Sequence, residues 1–221
     1  PECATAISQV ETEDSERPSH FHDIEFSVVS SDKVFTISTT RPELLPACVA
    51  VFVHPDDDAN HHLVGAEAEI PMFGQQVPII EDERVDMETG SGIVMCCTFG
   101  DQTDIEWYQA HDLPLRIAID ETGTMTDEAD SYAGLGSETA REAIVADLDD
   151  TGALLDRRAI THTVNVHERC DTPVEFLVTE QWYIRLLDKK EEYLEAGRSM
   201  DWFPDKMFTR YKNWIEGLQW D

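Results

Sequence analysis

Short apolar, β-branched runs cut by turn residues limit the fold more than any other feature of this chain. They fall at 26–29, 34–38, 48–53, 67–70, 76–80, 93–97, 115–119, 160–166 and 174–179. Gly, Pro, Asp, Asn or Ser bounds most of them, as expected of strands closed by tight turns. Helical periodicity is rarer, at 101–111, 137–148 and 204–218. The first opens with acids. The second starts at Ser137 with an imperfect capping box (Ala140 where Glu belongs), and sets Ala140, Ile144 and Leu148 four apart. The third follows Pro204 and gathers Met207, Phe208, Tyr211, Trp214, Ile215 and Leu218 on one face. Strands and helices do not alternate, which argues against a doubly wound sheet. The expected class is a β-rich α+β fold, a β-barrel-like core with peripheral helices. Residues 1–22, polar and holding Pro18, read as a lead-in; 23–180 as the main domain; 181–221 as a helical return segment. Beginning at Pro1 and ending on Gln219-Trp220-Asp221, the sequence is expected to be a piece of a longer protein. No apolar run approaches the ~20 residues of a membrane span, so no membrane partner is expected.

Charge narrows the setting. Asp and Glu number 46 against 16 Lys and Arg, a net charge of −30, and only five of the 16 bases are Lys. The acids are dispersed, as at Asp56, Asp57 and Asp58, or at Glu81, Asp82 and Glu83. Such a charge makes the compact state repel itself, and molar salt screens that repulsion. A salt-loving cytoplasm is the expected setting. Charge alone argues against nucleic acid, which is normally gripped by Lys and Arg at phosphates. The 5 cysteines (Cys3, Cys48, Cys96, Cys97 and Cys170) are an odd, scattered set, read as reduced thiols. Cys96 and Cys97 sit in an apolar run and read as core. His54, His61, His62 and His111 read as solvated.

Two constellations carry chemistry. Thr39-Thr40-Arg41-Pro42-Glu43 follows the 34–38 strand, and Pro42 biases Arg41 out of helix. Hydroxyls and N–H groups at such a strand end suit an ester carbonyl and a ribose; a solvated turn is the plainer alternative. In the second, a turn at Gly90-Ser91-Gly92 feeds the 93–97 strand, and Thr98-Phe99-Gly100 turns the chain into a helix. Asp101 and Asp104 then share a face of its first turn. There they suit the helix dipole, with Asp101 as N-cap, and equally suit an ammonium group. Gly90-Ser91-Gly92 lacks the third glycine of a dinucleotide fingerprint, and Gly-x-Ser-x-Gly is absent.

Together these runs, TTRPELLPACVAVFVHPDD and GSGIVMCCTFGDQTDIEWYQAHDLP, resemble the two signature stretches of the editing (CP1) domain of the valyl-, isoleucyl- and leucyl-tRNA synthetases. The resemblance extends from PECATAISQVE to TPVEFLVTEQWYIRL and WIEGLQWD, nearly the whole chain. Thr-Thr-Arg-Pro-Glu points to the valyl type, and Met-Cys-Cys-Thr-Phe-Gly-Asp to its archaeal form.

The resemblance implies that Asp104 holds the α-ammonium of a misattached amino acid and that Asp101 accepts from a threonine hydroxyl. Thr39, Thr40 and Arg41 would form the wall that positions the terminal adenosine and the ester. Arg41, Pro42, Glu43, Met95, Thr98 and Phe99 make up the implied substrate-binding set. Met95 and Leu44 depart from the bacterial pattern, which has Lys and Thr there. The implied reaction is hydrolysis of threonine mischarged on valine tRNA. A hydrophobic pocket rejects an added hydroxyl by only ~10², a figure established for this enzyme class rather than deduced from this chain. With no Ser or Cys nucleophile in evidence, a positioned water is favoured. Editing would need no cofactor; ATP and Mg2+ would serve only the separate catalytic domain of the same polypeptide. The implied partners are that domain, toward which 181–221 returns, and the 3′ end of the mischarged tRNA. Most tRNA contacts on other domains would make the acidic charge tolerable. Cys3, with His167 and Cys170, keeps a zinc knuckle open against packed or exposed side chains. A non-catalytic interaction module and an isoleucyl- or leucyl-type editing domain are the rival readings.

Overall fold

A computed structural model describes residues 6–7, 11–180, 182 and 184–219. It divides into two compact units, Pro1–Leu177 and Val178–Asp221. The first unit holds the strands β1 (Thr12–Val28), β2 (Val34–Thr39), β3 (Cys48–Val53), β4 (Glu67–Glu69), β5 (Gln76–Glu81), β6 (Ile93–Cys97) and β7 (Leu154–His167), and the helices α1 (Gln102–His111) and α2 (Ser137–Thr151). The second holds α3 (Lys190–Arg198) and α4 (Lys206–Gly217).

One sheet runs in the order β2-β1-β4-β5-β3-β6, with β7 on β1. Only β3 and β5 pair in parallel; every other ladder is antiparallel. The sheet curls until β6 comes back beside β2, so the expected barrel-like core is a half-barrel. Its interior is lined by Ile24, Phe26, Ile37, Val51, Val53 and Ile79, at most 1% exposed. One face of α2 closes it: Ala140, Ile144 and Leu148 are fully buried, as their spacing predicts. Burying each of the two larger side chains contributes ~1.5–3 kcal/mol. On the far face of β3 and β6, Phe52 stacks on Trp107 of α1 with centroids 4.6 Å apart, fixing that helix to the sheet.

Several expectations need correction. The run at 26–29 is only the end of β1, which begins at Thr12 and forms a long ribbon with β7. Residues 115–119 and 174–179 form no strand; Ile119 makes only an isolated bridge with Met125, and Ala118 and Ile119 are apolar because they plug the core. The N-cap of α2 is Gly136, with no side-chain cap. In the second unit α3 was not anticipated, and of the apolar face of α4 only Ile215 is buried, while Trp214 is 61% exposed. No helix among the described residues is long and apolar enough to cross a membrane.

Candidate functional site

A cleft of about 310 Å³ opens between the end of β2, the end of β6 and the first turn of α1. Its making starts with Asp101. Extended backbone there (φ −152°) ends the turn after β6, and its Oδ1 accepts from the N–H groups of Thr103 and Asp104 at 2.7 and 3.0 Å. Asp104 answers from the third helical position, taking the Asp101 N–H at 3.2 Å to complete a capping box. The same carboxylate accepts from Gly100 N–H at 2.8 Å and Cys97 N–H at 3.2 Å. A Cβ on residue 100 would lie 2.7 Å from Asp104 Oδ2 and 3.2 Å from Leu44 Cδ1, so this approach requires glycine. Gly90, at φ +62°, lets the loop before β6 lie on Ser38, where a Cβ would be only 2.9 Å from that side chain.

Asp104 is therefore buried, 6% exposed, bonded to backbone amides and the Cys96 thiol, with no cationic side chain against it among the described residues. Burial, then the charge of Asp101, pushes its pKa up to about 7, against the pull of the amide donors. Asp101 is exposed, and among the described residues its Oδ2 has no hydrogen-bond donor. It faces the cleft with a carboxylate oxygen free to accept.

Opposite stands the end of β2. Thr39 Oγ1 accepts from Arg41 N–H at 3.0 Å, and the Thr39 carbonyl lies 3.3 Å from Nδ1 of buried His22, whose pKa burial lowers. Arg41 lines the cleft but is held on both sides, by Glu43 at 2.9 Å and by both oxygens of Glu175 at 2.9 Å. Glu43 is 0% exposed and also takes two bonds of 2.7 Å from Arg141 on α2.

The cleft thus brings together Asp101, Asp104, Thr39, Thr40, Arg41 and Met95 of the expected site residues. Pro42, Glu43, Thr98 and Phe99 do not line it. Pro42 opens a buried 3-10 turn, Pro42–Ala47, and Glu43 anchors guanidiniums behind the wall. The Thr98 hydroxyl is bonded to both the N–H and the carbonyl of Arg116, and Phe99 packs edge-on against Tyr108. For Glu43 the correction is physical: with three guanidinium bonds and no exposed surface it supports the site from behind.

Sequence reading missed Arg84, Asp86 and Thr89, which form a further wall. Their only local sign is the turn chemistry of Asp82 and Asp86, each capping an N–H two residues on. Arg84 pairs with Asp82 at 2.6 Å, and Asp82 also meets His111 at 2.8 Å. Hydrogen bonds from Arg84 hold the Asp82 carboxyl far below the usual range, and His111 is tied down rather than solvated. Of the zinc candidates, His167 Nδ1 lies 3.2 Å from Cys170 Sγ, while Cys3 falls outside the described residues. Among the described residues no three His, Cys, Asp or Glu side chains gather as a metal set. Cys96 and Cys97 are buried, as expected of core thiols, and burial raises the pKa of Cys96.

Known proteins can now be set beside this geometry. The family of class I tRNA synthetases (I, L, M and V) matches residues 1–220. A valine--tRNA ligase from Haloarcula marismortui is 68% identical over 228 residues, covering 100% of this chain and 25% of that protein. Its counterpart in Thermoplasma acidophilum is 47% identical over 100% of this chain and 28% of its own length. That of Rickettsia rickettsii is 44% identical, covering 100% and 27%. The chain spans about a quarter of the length of these relatives. Among solved structures, the ternary complex of Agrobacterium radiobacter K84 agnB2 LeuRS-tRNA-LeuAMS aligns over 74% of this chain and 22% of that one, at 19% identity and TM-score 0.49, too slight a likeness to argue from. The match over residues 1–220 makes this chain a member of the class I tRNA synthetases of the I, L, M and V type.

Proposed function

We propose that this chain is the editing domain of a valine--tRNA ligase and hydrolyses the ester of threonine mischarged on valine tRNA. One observation carries the reading: a buried carboxylate without a cation, Asp104, borders a cleft whose opposite wall is hydroxyl-bearing. An ammonium group is the natural missing partner of such a carboxylate. The donors it already has, three amides and the Cys96 thiol, are all neutral. Asp101 Oδ2 accepts the threonine hydroxyl; valine offers no donor there, so the site favours the hydroxyl-bearing ester. Thr39 and Thr40 hold the ester and the terminal ribose. Water is the nucleophile, brought to the carbonyl by positioning rather than by a covalent enzyme intermediate.

Relatives that are valine--tRNA ligases favour the valyl over the isoleucyl or leucyl reading. The valine--tRNA ligase activity itself, its ATP and Mg2+, and the contacts with tRNA beyond the 3′ end would belong to the rest of the polypeptide. The test is to incubate the chain with threonyl- and valyl-tRNA for valine and follow ester release. Release of threonine well ahead of valine is expected. Inert binding of both would support an interaction module, and equal release would remove the role given to Asp101.

A further inference from the structure

An arginine and two aspartates share the cleft without meeting. Arg41, Asp101 and Asp104 all line it, yet among the described residues Arg41 pairs with neither aspartate. A guanidinium and a buried carboxylate are natural partners, and a cleft of about 310 Å³ is small enough for an arginine side chain to cross. What holds them apart lies outside the cleft lining. Glu43 takes Arg41 Nε at 2.9 Å, at the stem of the guanidinium, and is shared with Arg141. Glu175 takes the terminal NH2 with both oxygens, each at 2.9 Å. Among the described residues the Glu175 carboxylate has no other partner. It arrives on the segment after β7, which is laid against that strand by Val174 N–H, 3.0 Å from the Asn165 carbonyl, and by a bridge between Pro173 and Val166. Two carboxylates on two nitrogens fix the plane of a guanidinium, and of the two only Glu175 restrains the end that could swing.

We propose that Glu175 is a positioning residue: it holds Arg41 off Asp104 and so keeps that carboxylate free for the substrate ammonium. The substrate half of this statement rests on the reading of Asp104 as the ammonium site; the half that concerns Arg41 stands on the ion pairs alone. Without the Glu175 charge, Arg41 and Arg141 would share the single carboxylate of Glu43, and the surplus guanidinium would turn to the nearest acid. That pairing would occupy the oxygens a substrate needs. Glu43→Gln does not have this effect, because its amide oxygen can still accept from Nε while Glu175 keeps NH2. The other charged or titratable groups around Asp104 are Asp101 on its own helix, Cys96 and Cys97 on β6 and, elsewhere in the cleft, Arg84 and Asp86. Arg84 is fastened to Asp82 through Nε and NH2, which leaves Arg41 as the cation that loss of Glu175 releases.

The experiment follows the Asp104 carboxyl by carbon NMR across pH in the unaltered chain, Glu175→Gln, Arg41→Gln and the double variant, with kcat and KM for threonyl-tRNA for valine measured alongside. In the unaltered chain the carboxyl should titrate near pH 7. In Glu175→Gln the arriving guanidinium should bring that midpoint to about pH 6 or lower, the effect of a close opposite charge. KM should rise about tenfold with kcat changed far less, as when the competent form falls to about a tenth of the population. Glu175→Ala, which removes the acceptor as well as the charge, should do the same. In the Arg41→Gln background the Glu175 change should move neither quantity appreciably, because Glu175 acts through Arg41. A merely structural Glu175 would cost the same with and without that arginine. A midpoint that stays near pH 7 in folded Glu175→Gln overturns the proposal. So does an equal fall in the Arg41→Gln background, which would be the bare effect of one lost charge. A midpoint that falls only when Arg41 is present, with KM unmoved, supports the restraint of Arg41 and overturns the ammonium role of Asp104. If the chain hydrolyses nothing, the titration still decides where Arg41 goes.

Discussion

Two turns at the ends of neighbouring strands each bury a carboxylate, and the two live in opposite electrostatic worlds. Glu43, in the turn after β2, is fully buried beside two guanidiniums. Burial alone would raise its pKa, yet hydrogen bonds from Arg141 and the charges of Arg41 and Arg141 outweigh it, and the group stays ionised. Asp104, in the first turn of α1 after β6, also accepts hydrogen bonds, but from neutral donors, three amides and the Cys96 thiol, and its pKa rises to about 7. Formal positive charge, rather than the number of donors, decides the outcome. Glu43 is paired within the fold, whereas Asp104 meets no cationic side chain among the described residues. Compared side by side, they separate a buried acid paired within the fold from the one proposed to bind substrate.

The sharpest way to break this comparison is Glu43→Gln. It leaves two guanidiniums facing a neutral amide, and removing one member of such a buried cluster costs about 3–5 kcal/mol. Denaturant unfolding should show that loss, while threonyl ester hydrolysis per folded molecule should change little. A decrement under ~1 kcal/mol would mean that Glu43 is not the anchor the geometry makes it.

Gly100→Ala comes next. Its Cβ must push the Asp104 carboxylate or Leu44 aside, which as an overpacking event costs about 1–3 kcal/mol. Hydrolysis should fall more than stability suggests, because the displaced group is the one proposed to hold the ammonium. Equal losses in a hydrolysis assay and a melt would count against that role.

Asp101→Ala should cost ~1 kcal/mol for the lost N-cap. Removing its charge should also lower the Asp104 pKa, since that charge is the second cause of the rise. The acid limb of kcat/KM would then move below about pH 7, and threonine-over-valine preference would erode. An unmoved limb would show that Asp101 does not act on Asp104.

A subtler effect concerns the stability curve. The folded-state pKa of Asp104 lies above its unfolded value, so the folded state binds the extra proton. Its contribution is whole below about pH 4, near the unfolded pKa, and is lost as pH rises through about 7. Asp104→Asn should flatten the stability–pH curve in that window. The smallest expected change is that of the Glu43→Gln decrement with salt. Raising KCl to ~1 M should increase the melting temperature by screening the surface acids. The decrement of Glu43→Gln should stay the same, because its cluster is buried. A decrement that shrinks with salt would place that cluster in contact with solvent.

How much of this was legible in the sequence depended on whether a residue's role is local. The strands over 48–53 and 93–97 have the bounds that their unbroken apolar runs predict, the first buried throughout and the second everywhere but at Val94. The cap at Asp101 is written in the spacing of two aspartates. The outer part of β1 was not legible: a two-stranded ribbon half open on both faces leaves no apolar period to find. Glu43 illustrates the deeper limit. Nothing in Thr-Thr-Arg-Pro-Glu says that this acid will be met by Arg141, 98 residues further on. The cleft itself was half visible. The motifs of β2 and α1 marked two walls, while Arg84, Asp86 and Thr89 reach it from a loop that only the curl of the sheet brings near.

The most direct test sets Asp104→Asn against the unaltered chain in hydrolysis of threonyl-tRNA for valine, from about pH 5 to about pH 9, with unfolding followed in parallel. The unaltered chain should show an acid limb of kcat/KM near pH 7. Asp104→Asn should stay folded and lose about 10²–10³ in rate, the scale of one positioned electrostatic contact. A folded Asp104→Asn chain that keeps more than half the activity would contradict the claim that this buried acid is the one the site is built around.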